Sequence, residues 1–128
     1  MSKFPEYYPK QCPPCDAKDI EGLVFRFTDR NVPNKRDFLS HYEKNSSKDW
    51  EDSACQAMGL SVFPSKDACE EMKKKVPAMR RKKIASANLN NEHGKFAHTP
   101  STTSKRHMTW WVSCSLNEPW ILFSNVDS

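Results

Sequence analysis

The sequence predicts an α+β fold, a small mixed sheet packed by two helices within a single domain. Stretches that alternate apolar and polar residues, such as residues 21–28 (EGLVFRFT) and 107–113 (HMTWWVS), flank one strongly marked helix after Ser65. The chain has 128 residues, enough to bury a core of its own and about the size of one domain. Hydrophobic residues make up 37% and charged residues 28%, the balance of a globular chain rather than a disordered one.

Taken in order, residues 1–19 are rich in proline and charge and read as an extended lead-in, leaving 20–128 as the α+β domain. Residues 21–28 form the first strand, with Leu23, Phe25 and Phe27 on one face and Val24, Arg26 and Thr28 on the other. Asn34 can cap a short helix over 35–44, in which Phe38, Leu39 and Tyr42 fall at helical spacing. Residues 45–52 are a polar loop, and 53–58 a helical turn ended by Gly59. A short strand is expected at 60–63 (LSVF).

Ser65 then caps the clearest helix. Asp67, Glu70 and Glu71 lie in its first turns and Lys73, Lys74 and Lys75 in its last, which suits the helix dipole, and Pro77 stops it. Ala68, Met72 and Val76 line its apolar face, with Cys69 beside them. A strand over 84–89 follows, and a parallel crossover from 60–63 through this helix is expected. Beyond a turn at 90–94 come a weakly alternating stretch at 95–99 and a hydroxyl-rich loop at 100–106. In the strand at 107–113, Met108, Trp110 and Val112 face one way and His107, Thr109 and Trp111 the other; 119–124 is a last apolar segment.

The formal net charge is +4, and its distribution matters more than its size. Residues 66–83 hold eight Lys/Arg against three Asp/Glu, whereas 1–65 hold nine against ten and 84–128 three against three. Lys73, Lys74, Lys75, Arg80, Arg81, Lys82 and Lys83 therefore form a concentrated basic ridge. Such a ridge fits an anionic partner, nucleic acid first and an acidic protein second, because each neutralised phosphate releases counterions. With only 3 glycines and no phosphate-cradling glycine motif, a Gly-rich nucleotide loop is excluded.

No apolar run is long enough to cross a bilayer, and the N-terminal residues lack the apolar centre of a signal peptide, so no membrane partner and a cytoplasmic location are expected. The five cysteines are an odd number, which argues against a disulfide scaffold. Cys12-Pro13-Pro14-Cys15 has the spacing of half a tetrahedral zinc site but finds no second close pair, so neither a metal nor another cofactor is expected. A polar group on the strands is the catalytic candidate. Arg26 is suited to clamping a phosphate or carboxylate, His107 to acid–base work near neutral pH, and Thr109 shares its face. Paired-carboxylate chemistry is disfavoured, since Glu92 and Glu118 are the only acids between Glu71 and Asp127.

The strings CPP (12–14), DFLSH (37–41), GLSVF (59–63), KKIA (82–85), HTPS (98–101) and HMTWW (107–111) together resemble a family of short, uncharacterised bacterial proteins over nearly the whole chain. The resemblance implies a single domain of bacterial origin and carries no functional residue with it; Cys15 falls outside its pattern. A looser similarity is to small ADP-ribosyltransferase-like toxins. That similarity implies an early-strand Arg, matched by Arg26, and a Ser/Thr-rich strand, matched by Ser61 or by 99–104, acting on a nucleotide such as NAD. The late glutamate of that pattern is missing, because Glu118 lies in a proline-containing turn. Three expectations result: a binding module for nucleic acid or an acidic protein, a small enzyme, toxin or defence protein acting on a nucleotide, or an interaction subunit presenting its tryptophans.

Overall fold

The structure is a computed structural model that describes residues 3–126. Its seven strands form two antiparallel sheets, joined by three α-helices and several short 3₁₀ turns. The first sheet has the order β1-β5-β6-β3, with β1 at Lys18–Asp19, β5 at Gly94–His98, β6 at Met108–Val112 and β3 at Leu60–Val62. The second has the order β2-β4-β7, with β2 at Gly22–Thr28, β4 at Lys83–Leu89 and β7 at Ser124–Asn125. The α+β class stands, with two antiparallel sheets in place of one mixed sheet. The expected parallel crossover is absent: β3 pairs with β6 and β4 with β2, so the helix between them links the two sheets.

The sheets meet at a single antiparallel bridge, in which Phe25 N donates to Phe63 O at 2.9 Å and Phe63 N to Phe25 O at 2.8 Å. The alternation of β2 is the one its sequence predicts, but from Val24 onward both faces are covered, while Leu23 stays exposed. Val24 joins a core with Leu60, Val62, Ala85, Ala87 and Trp110, which fills the space between the sheets. Phe25 joins a second core with Phe63, Ile84 and the buried face of α3, Ala68, Cys69 and Met72. Helix α3 runs Lys66–Lys75 with Ser65 Oγ accepting from Ala68 N, as its sequence predicts.

The single helix expected over 35–44 is two shorter pieces. A 3₁₀ turn at Lys35–Phe38 is capped by Asn34, and α1, His41–Lys44, begins afresh at Ser40. Each start has a reciprocal capping box, Asn34 with Asp37 and Ser40 with Glu43, so the second cap interrupts the first helix. Helix α2, Ala54–Met58, ends where Gly59 leaves no room: a Cβ there would meet Thr109 Cγ2 at 2.3 Å.

The proline-rich segment before residue 20 is tied to the domain. Tyr8 Oη donates to Met58 O at 3.3 Å, β1 pairs with β5, and Cys12 is bonded to Cys55 across 43 residues of sequence. That disulfide corrects the expectation drawn from the odd cysteine count, and it engages the first thiol of the half zinc site; Cys15 and Cys114 are exposed and free. No helix among the described residues is long and apolar enough to cross a membrane.

Two predictions test this framework. Gly94 has φ +131 and a Cβ there would lie 2.0 Å from Trp111 O, so Gly94→Ala combines backbone strain with overpacking. It is expected to lower stability by about 2–4 kcal/mol in urea unfolding. Replacing Cys12 and Cys55 by Ser frees the denatured chain, and a loss of roughly 2–4 kcal/mol is expected in the same assay. A loss under ~0.5 kcal/mol would show that the N-terminal segment is held by its other contacts.

Candidate active site

Alternation in β3 turns Leu60 and Val62 into the core and leaves Ser61 on the opposite face, directly across from Thr109 of β6. His107 precedes β6, and Thr99 follows β5, with Thr99 N donating to His107 O at 3.0 Å. This register brings Ser61, Thr99, His107 and Thr109 into one chain of hydrogen bonds. His107 Nδ1 lies 2.9 Å from Thr99 O and 3.0 Å from Thr99 Oγ1, and Thr99 Oγ1 is 2.7 Å from Thr109 Oγ1. A carbonyl oxygen only accepts, so Nδ1 carries the proton of the neutral ring and donates to Thr99 O. Nε2 is then an acceptor, and Ser61 Oγ, 2.8 Å away, donates to it.

The imidazole packs edge-on against Phe63, with ring centroids 5.5 Å apart. Burial is the main influence on its ionisation and pushes its pKa below the ordinary 6.5. The bond to Thr99 O opposes this, and the charges of His41 and His98 reinforce it. The ring is therefore neutral at pH 7, as the hydrogen-bond geometry requires.

Arg26, His107 and Thr109, the three candidates from the strands, do line one cleft of about 530 Å³, together with Ser61. Their parts differ from those expected. Arg26 is buried, at 8% exposure; Nη1 donates to Ser61 O at 2.7 Å and Nη2 to Asp37 O at 2.9 Å. Its guanidinium also lies 5.0 Å from the centre of the Phe38 ring. The fork expected to hold a ligand phosphate is engaged with main chain instead, and Arg26 supports the strand that carries Ser61. Burial lowers its pKa to about 10, with the Asp37 charge opposing, so it stays protonated at neutral pH. Thr109 is buried and acts on His107 only through Thr99.

On the opposite wall only Lys82 stands out in the sequence; Lys44 and Trp50 carry no local signal that would mark them. Lys44 of α1, Trp50, and Lys82 from the basic ridge complete the cleft, with Phe27, Phe63 and Met72 as an apolar floor. No Asp or Glu lines it. On the ridge, Lys73, Arg80, Arg81, Lys82 and Lys83 surround a second concavity of about 550 Å³ with Asn31 and Asn125. Lys74 and Lys75 are exposed on α3 away from it, and Lys82 lines both hollows while pairing with Asp29.

The tryptophans at 110 and 111 are fully buried, at 0% and 1% exposure, and their indole N–H groups donate to His93 O at 3.1 Å and Cys55 O at 2.8 Å. Neither can stack on a base or form a contact surface. Among the described residues no group of three or more His, Cys, Asp or Glu is placed to hold a metal. No family model matches the chain, and no curated protein or solved structure matches it.

Two predictions follow from the buried groups. Arg26→Ala removes a buried donor from each of the carbonyls of Ser61 and Asp37, and a loss of about 2–4 kcal/mol is expected in chemical unfolding. Because the folded state holds the His107 pKa below 6.5, the unfolded chain binds more protons below that pH. Stability is then fully present above about pH 6.5 and is lost as pH falls below it. Thermal melts of wild type and His107→Gln from pH 7.5 to 5 should show a steeper decline in wild type. The His41 pKa is lowered in the same sense and sets the slope that remains in the variant. Parallel curves would contradict the assignment of that slope to His107.

Proposed function

We propose that this protein binds a nucleic-acid strand, seating one nucleotide in the Ser61–His107 cleft and running the adjoining phosphates along the ridge. The observation that carries this reading is the charge of two adjoining hollows: cations line both, with hydroxyls in the first and asparagine amides in the second, no carboxylate lines either, and Lys82 belongs to both. Apolar walls between such cations strengthen the field felt by an anion. The aromatic surfaces of Trp50, Phe27 and Phe63 favour a nucleotide over an acidic protein, because bases offer a flat face to stack or pack. Asp29 offsets part of the Lys82 charge and is itself held below its ordinary pKa, chiefly by the hydrogen bond from Lys82. A phosphate arriving at Lys82 would exchange one anion for another there.

A second reading, an enzyme acting on a free nucleotide such as NAD, is favoured by His107, Thr109 and Arg26 lining one cleft. It lacks any carboxylate in that cleft.

Fluorescence anisotropy with short single-stranded RNA and DNA separates the two. For about five phosphate contacts, affinity should fall roughly 10²-fold between about 50 and 200 mM salt. The triple variant Arg80→Glu, Arg81→Glu, Lys83→Glu should abolish binding with an unchanged far-ultraviolet spectrum. Unaltered binding by that variant would sink the strand reading. Binding of NAD with none of an oligonucleotide would favour the second.

A further inference from the structure

We propose that Ser61 is a nucleophile toward phosphorus and His107 its general base, so that the cleft cleaves a phosphodiester of the bound nucleotide through a covalent intermediate on Ser61. The proposal deepens the reading of the cleft as a nucleotide site and rests on it for the class of substrate.

Three features of the geometry set this pair apart from an ordinary buried histidine. First, direction: an N–H pinned to the Thr99 carbonyl leaves Nε2 as a lone-pair acceptor aimed at Ser61 Oγ, at 2.8 Å. Nucleophile, base and orienting acceptor are the three parts of an activated serine, and here the orienting group is a backbone carbonyl. Second, rigidity: the Ser61 carbonyl is held by Arg26 Nη1 at 2.7 Å, and the residue is paired to Thr109 in the middle of β3. A nucleophile fixed by its own main chain loses little freedom when it reacts. Third, access: Ser61 and His107 are both partly exposed and both line the open cleft, beside Lys44 and Lys82. These two lysines line the same cleft, where cations can neutralise charge on the non-bridging oxygens as it builds at phosphorus.

The other nucleophiles of this region are unsuited. Cys69 is fully buried in the second core, and burial pushes its thiol up to about 12. Asp37 is buried and its carboxylate accepts from Asp29 N at 2.8 Å, Asn34 N at 3.1 Å and Arg30 Nη1 at 3.3 Å.

The step balances without a further reactant. Ser61 Oγ attacks phosphorus as the bond from phosphorus to the leaving nucleoside oxygen breaks. The Oγ proton passes to His107 Nε2 and from the imidazolium to that leaving oxygen. Water then attacks the phosphoseryl diester, giving its proton to Nε2, and Ser61 Oγ leaves with it.

The test uses the whole chain and a fluorophosphonate probe, whose fluoride is displaced by an activated serine. Intact mass and peptide mapping should show one adduct, on Ser61, and none on Ser61→Ala. His107→Gln should label about 10²-fold more slowly or worse, the contribution of a general base. In wild type the labelling rate should rise through the His107 titration below pH 6.5 and then level, a readout that needs no variant to fold. Charged groups facing the ring or its cleft are His41 and Lys44 of α1, His98 of β5, Arg26 of β2 and Lys82; all are cationic or become so, and none reverses that direction. Wild type unlabelled at Ser61, or labelled at a rate independent of pH and of His107, would overturn the proposal. Oligonucleotide binding without labelling overturns this step and spares the binding reading. Labelling of Ser61 without oligonucleotide binding or protection overturns the phosphodiester as substrate.

Discussion

A buried guanidinium holds the centre of this molecule together. Arg26 lies on β2, in one sheet, yet its Nη groups reach the carbonyl of Ser61 in the other sheet and that of Asp37 in the connecting loop. Burying a cation is costly unless its donors find partners. Here two strong acceptors and the face of Phe38 offset the cost, while Nε finds no partner among the described atoms. Among the described residues the backbone pairing between the two sheets is the Phe25–Phe63 bridge, and this side-chain link one residue away reinforces it at the point where the cleft opens. The Ser61 main chain is thereby held from both sides, by its pairing with Thr109 and by the Arg26 guanidinium.

Sequence carried the local part of this structure well. Helix α3 was legible because its cap, its charge gradient, its buried stripe and its terminating proline are all contiguous. The alternation of β2 was legible for the same reason. What no local pattern held was the destination of each strand. β3 and β4 flank a helix as the arms of a parallel crossover would, but each finds an antiparallel partner elsewhere. The helix at 35–44 was divided by a second capping box at Ser40, whose signal competes with the apolar spacing read across it.

The site shows the same division. Arg26, His107 and Thr109 stand out in the sequence as polar residues among strand patterns, and they do share a cleft. Their order of importance was not legible, because it rests on contacts 35 to 46 residues apart in sequence: Arg26 to Ser61 and Ser61 to His107. The disulfide was illegible for the same reason. Cys12 is bonded to Cys55, 43 residues on, and its neighbour at three residues is left free.

The electrostatics of the cleft depend on where the acids went. Glu43 caps Ser40 N at 3.0 Å, Glu71 pairs with Arg106 at 2.8 Å, Asp29 pairs with Lys82, and Asp37 is buried under its own turn. These four carboxylates have local donors, and none of them lines the hollow. A modest overall charge of +4 can therefore coexist with a cleft lined by cations and by no carboxylate. In such a field a carboxylate nucleophile would be neutralised by the same lysines that attract the substrate. A hydroxyl suffers no such penalty until a base removes its proton, and the only hydroxyl in the cleft whose partner is a free imidazole nitrogen among the described residues is that of Ser61. The proposed anion capture and the proposed serine nucleophile would thus both draw on one arrangement of charge.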